Sequence, residues 1–170
     1  MPGAKDGTKE YAAANVLSHW LSGTYLWERI RTTGGAYGAY AGCNPGADSF
    51  YFSTYRDPSA AKSKNLFPKV LKEAGEADLD DDETVRLITG TYGDLVQPRS
   101  PYGKGNVALY RTIFAITDED RGNVLKDLVQ TGKHEILQCA KSISLTSEKS
   151  RSVLMCENPE KNTGVIIQLP

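Results

Sequence analysis

The chain has 170 residues, of which 39% are hydrophobic and 24% are charged, a length and composition typical of one globular domain with a buried core. Twenty basic and 21 acidic side chains leave a formal charge of −1, so charge gives no reason to expect nucleic acid or a membrane as a partner. The three cysteines, Cys43, Cys139 and Cys156, are far apart in the sequence, which argues against a disulfide framework and indicates free thiols in a reducing, intracellular compartment.

The first predicted element is a helix over residues 9–31, where apolar side chains recur at helical spacing. Gly23 is expected to bend or divide this helix. Residues 32–35, with the sequence Thr-Thr-Gly-Gly, are expected to end it, because Gly34 and Gly35 can both adopt a positive φ after a helix.

Two strands are predicted next, over residues 36–43 and 48–55. Between them lies Asn-Pro-Gly-Ala, which is favourable turn chemistry, so the strands are expected to form an antiparallel hairpin. Alternation places Phe50, Phe52 and Thr54 on one face of the second strand.

Helical spacing predicts further helices in the remainder of the chain. Asp57 is expected to cap the next helix with Pro58 at its first position, and the helix runs toward Gly75. The acidic cluster at residues 78–83 is interpreted as the solvated start of the following helix. That helix ends before a proline-rich loop at residues 98–103.

Three more helices are expected before the chain returns to strand. One spans residues 107–114, and the next is capped by Thr117 with Asp120 in a capping-box arrangement and closed by Gly132. The third contains Ile136, Leu137, Ala140 and Ile143 at helical spacing. Short strands are predicted near residues 152–156 and 165–169. Together these elements predict an α+β domain, a mostly antiparallel sheet with helices packed on one face.

The sequence offers little for a complete metal site or a nucleophile. Its only two histidines are His19 and His134, and neither lies in an HExxH or HxxEH motif, so no metal-binding residue and no catalytic residue is predicted in this chain. A Cys–His pair stays open as an alternative, since such partners can be distant in sequence. No feature marks a cysteine as activated, and inert buried thiols are the simpler interpretation.

Residues 25–40 are the densest unusual segment, with a helix ending at Arg31, a glycine turn, and a strand opening at Tyr37. This arrangement can bring a guanidinium and a phenol to the rim of the sheet, where both could hydrogen-bond an extended peptide. The alternative is that Arg31 caps its own helix and Tyr37 packs on the hairpin.

Several blocks of this sequence resemble, in the same order, the last domain of presequence proteases, which belong to the pitrilysin/insulinase zinc metallopeptidases. The resemblance covers residues 10–147 and is carried by these blocks: Tyr25-Leu26-Trp27, Ile30-Arg31, Gly34-Gly35-Ala36-Tyr37-Gly38, Tyr55-Arg56-Asp57-Pro58, Gly90-Thr91-Tyr92-Gly93-Asp94, Pro98, Lys104-Gly105 and Ile116-Thr117-Asp118-Glu119-Asp120-Arg121. Residues 150–170 match less clearly.

The resemblance implies a role in binding unfolded peptides, such as cleaved targeting peptides, inside a closed chamber built from several α+β domains. Arg31 and Tyr37 match the substrate-binding pair of such a domain, and Gly34 and Gly35 match the turn that supports it. Zinc is expected in another domain of a parent enzyme, so this chain is expected to hold no cofactor and to be inactive alone. The expected partners are a peptide substrate and N-terminal catalytic domains of the same parent chain. The implied location is the mitochondrion or another organelle.

The same resemblance implies that residues 1–170 form a single, incomplete C-terminal domain without its first strands. Residues 1–8 are expected to be a disordered or artificially added start. An open sheet edge is expected to remain, which would allow self-association.

Two other function classes stay open. One is a non-catalytic structural or assembly module, related to subunits of mitochondrial processing peptidase or to core proteins of respiratory complexes. The other is an independent cysteine-dependent hydrolase, which would show thiol-sensitive activity in this chain alone.

Overall fold

A computed structural model describes residues 8–154. Its first element is an α-helix, α1, Lys9–Leu21, which continues without a break as a π-helical segment, Ser22–Thr32. The Thr8 hydroxyl caps α1 by accepting from the Tyr11 N–H at 3.2 Å. The predicted long helix is therefore confirmed, with a change of helix type next to Gly23 in place of a break.

Two hydroxyl side chains donate hydrogen bonds to backbone carbonyl oxygens where the helix type changes. Ser22 Oγ donates to the carbonyl of Ser18 at 2.7 Å, and Thr24 Oγ1 donates to that of Trp20 at 2.7 Å. Ser22 Oγ also accepts from the Ala41 N–H at 2.9 Å. The π segment is thereby attached to the outer edge of the strand that follows it.

The predicted hairpin is confirmed as strands β1, Gly38–Asn44, and β2, Ser49–Tyr55, which pair antiparallel with Ala41 opposite Phe52. Its inner face carries Phe50, which is fully buried, and Phe52, which stacks on Phe67 with ring centroids 4.6 Å apart. Among residues 8–154, β1 and β2 pair only with each other, so β2 presents an unpaired outer edge.

Five more α-helices follow: α2 Ala60–Glu76, α3 Asp81–Val96, α4 Pro101–Ile113, α5 Asp118–Gln130 and α6 Lys133–Leu145. The acidic cluster is confirmed as a helix start, since Asp80 Oδ1 accepts from the Glu83 N–H at 2.7 Å. The predicted capping box of α5 is confirmed as well, because Thr117 and Asp120 bond reciprocally.

Three predicted helix boundaries are wrong. The carboxylate of Asp57 accepts from the Ser59 N–H at 2.8 Å, so Asp57 and Pro58 form a turn before α2 and do not start it. Ser100 Oγ accepts from the Gly103 N–H at 3.1 Å, and α4 therefore begins inside the predicted loop. Gly132 is the N-cap of α6 and does not close α5.

The core lies where α1, the π segment, α2, α5 and α6 meet the inner face of the hairpin, which confirms the α+β prediction. Its largest fully buried side chains are Phe50, Leu17, Leu21, Leu26, Ile30, Leu71, Leu79, Leu128 and Ile136.

The predicted C-terminal strands are not seen in the described part of the chain. A short 3-10 turn, Ser147–Lys149, follows α6, and residues 151–154 have no regular secondary structure. The remainder of the first predicted strand and all of the second lie outside residues 8–154.

Candidate functional site

The turn between the π segment and β1 requires both of its glycines. The Gly35 N–H donates to the Arg31 carbonyl, and the Ala36 N–H donates to the Ile30 carbonyl, both at 3.1 Å. This is the hydrogen-bond pattern of a glycine C-cap with one additional residue in the loop, as expected after a π-helical segment. Gly35 has a φ of +78°, which other residues adopt at a cost. A β-carbon on Gly34 would lie 2.6 Å from the Ile30 carbonyl oxygen, so Gly34 is required by close approach and not by its φ.

Arg31 is exposed in the last turn of the π segment. Its guanidinium carbon lies 3.8 Å from the ring centroid of Trp27, which is half-exposed. Within residues 8–154 Arg31 makes no ion pair. The cation–π contact holds the guanidinium in place while leaving its edge N–H donors open to a ligand.

Arg29, two residues earlier, is used differently. It bonds to Glu73 of α2 at 2.6 Å, and its guanidinium lies 5.4 Å from the ring centroid of Tyr25. The hydrogen bond from Arg29 lowers the pKa of the Glu73 carboxyl, while burial raises the pKa of the Tyr25 phenol. Arg29 thus fixes the π segment to α2, and Arg31 is left for another role.

Tyr37 lies on the other side of the turn, immediately before β1, with 65% of its surface exposed. Its ring packs edge-to-face on Tyr55 with centroids 5.8 Å apart, and its backbone N–H donates to the Tyr55 carbonyl at 3.1 Å. The Arg56 guanidinium lies 5.3 Å from the Tyr55 ring and 5.8 Å from the Tyr37 ring. The phenol is therefore braced at its ring and open to solvent.

The structure thus places Arg31 and Tyr37 at the two ends of one glycine turn, both exposed. No hydrogen bond among residues 8–154 joins the two side chains, and neither lines the cleft between α1, α3 and β1. An arginine edge can donate two parallel hydrogen bonds to carbonyl or carboxylate oxygens, and a phenol can donate one. Donors of this kind can hydrogen-bond the carbonyl oxygens of a peptide main chain.

Sequence reasoning missed the residues that brace the pair, which are Trp27, Tyr55 and Arg56. A signal for the first was available, because Trp27 and Arg31 have i, i+4 spacing on a helix. Hairpin pairing gave a signal for the second, since Tyr55 lies opposite Gly38 at the open end of the hairpin.

The histidines and the described thiols lie elsewhere. His19 Nδ1 is 2.9 Å from Asp94 Oδ2 of α3, and His134 lies in the first turn of α6. Burial raises the pKa of both Cys43 and Cys139 to about 12, so these thiols stay protonated and poorly nucleophilic at neutral pH. Cys156 lies outside the described residues. Within residues 8–154 no group of three or more His, Cys, Asp and Glu side chains is placed to hold a metal ion.

Comparison with known proteins gives a consistent result. Residues 4–157 match the PreP C-terminal domain family. Presequence protease 1, chloroplastic/mitochondrial, of Arabidopsis thaliana is 29% identical over 83% of this chain and 13% of its own length. An uncharacterized protein of Borreliella burgdorferi is 32% identical over 72% of this chain and 12% of its own length. The mitochondrial presequence protease of Saccharomyces cerevisiae is 28% identical over 86% of this chain and 15% of its own length.

Relatives of this kind are much longer than the match. The chain spans between 11% and 17% of the length of the presequence proteases it matches. The helices of residues 8–154 include none with the length and apolar character needed to cross a membrane.

Proposed function

The chain belongs to the PreP C-terminal domain family, and on that premise we propose that it is the substrate-binding, non-catalytic domain of a zinc metalloendopeptidase that degrades unfolded peptides. The observation that carries the proposal is the placement of Arg31, which is stacked on Trp27, pairs with no carboxylate of the described residues, and lies across a glycine turn from the exposed Tyr37.

Each of the two side chains has a distinct part in this proposal. Arg31 donates hydrogen bonds to carbonyl oxygens of the bound peptide and fixes its position. Tyr37 donates from its hydroxyl to the scissile carbonyl oxygen, which becomes more negative as it is attacked. Trp27 and Tyr55 limit the rotation of the two side chains, so less conformational entropy is lost when a peptide binds.

Zinc belongs, in this proposal, to another domain of the parent protein. The described residues do not fit it, because two well-separated histidines and two protonated thiols are not a converging ligand set. In this proposal the chain supplies contacts to the peptide while another domain holds the metal, and the chain is expected not to cleave peptides by itself.

The test is kinetic and uses the parent enzyme with a quenched fluorogenic peptide. Loss of a single donor to a developing oxyanion slows kcat by about 100-fold or more, so Tyr37→Phe is expected to lower kcat by that factor and leave the melting temperature unchanged. Arg31→Ala is expected to lower kcat/KM by about 10- to 100-fold, the range of a hydrogen bond to a charged group.

Matched controls separate the site from general surface effects. Arg86→Ala removes an exposed arginine of α3, and Tyr51→Phe removes a hydroxyl from an exposed tyrosine of β2. Both controls are expected to keep the parent rate. Unchanged rates for Arg31→Ala and Tyr37→Phe as well would contradict the peptide-binding role and favour the structural module.

The location proposed for the parent protein is the mitochondrion or another organelle. The names of the plant and yeast relatives support it. Immunoblotting of purified organelle fractions tests it, and recovery of the protein only outside organelles would contradict it.

A further inference from the structure

Helix α4 is the exception in this fold, because none of its 13 residues is buried. Each of the other five α-helices buries at least two. An isolated helix of this length is marginal in water, and helices in proteins are stabilised mainly by packing of an apolar face. Contacts between the C-terminal half of α4 and the hairpin turn help to hold the helix in place.

One side of α4 accounts for those contacts. The Tyr110 hydroxyl donates to Asn44 Oδ1 at 3.2 Å. The ring of Phe114 lies directly over Gly46, where it leaves no room for a β-carbon, and it packs on Tyr110 with centroids 4.5 Å apart.

A second side of α4 is apolar and uncovered. Tyr102, Leu109 and Ile113 are 79%, 61% and 66% exposed. Their spacing of seven and four residues places them on one face of the helix. Burying these side chains would remove apolar surface from water, and that stabilisation is unused on a helix with no fully buried residue.

We propose that this face, the α4 stripe of Tyr102, Leu109 and Ile113, docks on an apolar surface in the preceding part of a longer polypeptide that carries this chain. Matched presequence proteases are several times longer than the matched segment, so most of such a protein is available to cover the stripe. This proposal is independent of the roles of Arg31 and Tyr37.

A second copy of the chain is a poorer occupant. Three side chains of this size cover on the order of 400 Å², whereas a stable interface between separate chains buries roughly 800 Å² per partner. A covalently connected surface needs less area, because the effective concentration within one polypeptide reaches roughly millimolar values.

Hydrogen exchange tests the proposal. Deuterium uptake of α4 is measured in the 170-residue chain and in the complete protein expressed from its reading frame. We expect uptake at least about tenfold slower in the complete protein, which corresponds to 1.4 kcal/mol of additional protection. The amides of α1 serve as the internal control that each protein is folded.

Variants of the complete protein test whether the α4 stripe is the cause of the slower deuterium uptake. Leu109→Glu combined with Ile113→Glu is expected to return α4 to the fast uptake of the 170-residue chain, while α1 stays protected. Ala108→Glu, at an exposed position of α4 that the helical repeat places away from the stripe, is the matched control and is expected to leave uptake slow.

Four results would overturn the proposal. These are equal uptake in both proteins, protection of the 170-residue chain that rises with its own concentration, protection that appears only with phosphatidylcholine or phosphatidylglycerol vesicles, and a reading frame that encodes nothing before this chain. None of these measurements depends on peptide cleavage, so they are separable from a failure of the proposed peptidase role.

Discussion

Helices α1 and α4 have the same length of 13 residues, yet α1 buries seven of them and α4 buries none. Both carry a side-chain N-cap, from Thr8 and Ser100 respectively. The difference lies in their surroundings, because α1 packs extensively against the hairpin and four helical elements, whereas α4 buries none of its residues fully and contacts the hairpin turn through Tyr110. Local sequence signals are therefore sufficient to start a helix but do not determine how much it contributes to the fold.

The comparison predicts its largest effect in the core. Leu17→Ala in α1 removes a fully buried side chain and is expected to lower the free energy of unfolding by about 2–5 kcal/mol. Leu109→Ala in α4 makes the same chemical change at an exposed position and is expected to change it by less than about 0.5 kcal/mol. Urea denaturation of the 170-residue chain measures both free energies, and equal losses would contradict this prediction.

The next largest effect concerns the turn where the long N-terminal helix ends. Gly34→Ala forces a β-carbon toward the Ile30 carbonyl and is expected to cost about 1–3 kcal/mol, the range for overpacked sites. Gly23→Ala has open space around the new carbon and is expected to stabilise by up to about 1 kcal/mol. Thermal denaturation separates the two glycines by the sign of the change, and a destabilised Gly23→Ala would contradict the prediction.

A third test compares the thiols of the core with a free thiol. The pKa of Cys43 and Cys139 is raised to about 12 by burial, so alkylation at pH 8 in a Cys156→Ser background is expected to be at least about tenfold slower than that of free cysteine. The unfolded chain releases these protons near pH 9, so the free energy of unfolding is expected to fall as pH rises from about 9 to about 12. Fast labelling of the folded protein would instead revive the cysteine-hydrolase alternative.

Removal of a helix N-cap is expected to affect α5 and α4 differently. Thr117→Ala removes the capping box of α5, whose Val124 and Leu128 are buried, and is expected to lower global stability by about 1 kcal/mol. Ser100→Ala removes the N-cap of α4 and is expected to speed hydrogen exchange of the α4 amides about fivefold, which corresponds to a similar free energy. It is not expected to change the global free energy of unfolding. An equal global loss for both variants would show that α4 is coupled to the core.

The smallest expected effect is at the ion pair of Arg29 with Glu73. Because the Glu73 pKa is lowered in the folded state, the stability it contributes is present at neutral pH and is lost as pH falls through the folded pKa. Both side chains are partly exposed, so Glu73→Gln is expected to cost about 0.2–1 kcal/mol at pH 7 and less at pH 3. Urea denaturation at the two pH values measures this, and an equal cost at both would contradict it.

Most of the local structure of this protein could be predicted from its amino-acid sequence. Apolar spacing gave the helices, the Asn44–Ala47 turn gave the hairpin, and Thr117 with Asp120 gave a capping box, because these depend on residues within a few positions of one another. The N-cap roles of Ser100 and Gly132 were missed, because the prolines around Ser100 favoured a loop and because glycine is a common residue at helix C-termini.

Residue types and the family resemblance singled out Arg31, Tyr37 and the two glycines, and the roles of Arg31 and Tyr37 stay predictions. The tertiary structure was needed to show that Arg29 pairs with Glu73 of α2, while Arg31 stacks on Trp27 and makes no ion pair within residues 8–154. It alone showed that Gly34 is needed for close approach, and that the apolar stripe of α4 is uncovered. These features depend on contacts between residues that are far apart in the sequence. The free energy of such tertiary contacts cannot be read from a short stretch of residues.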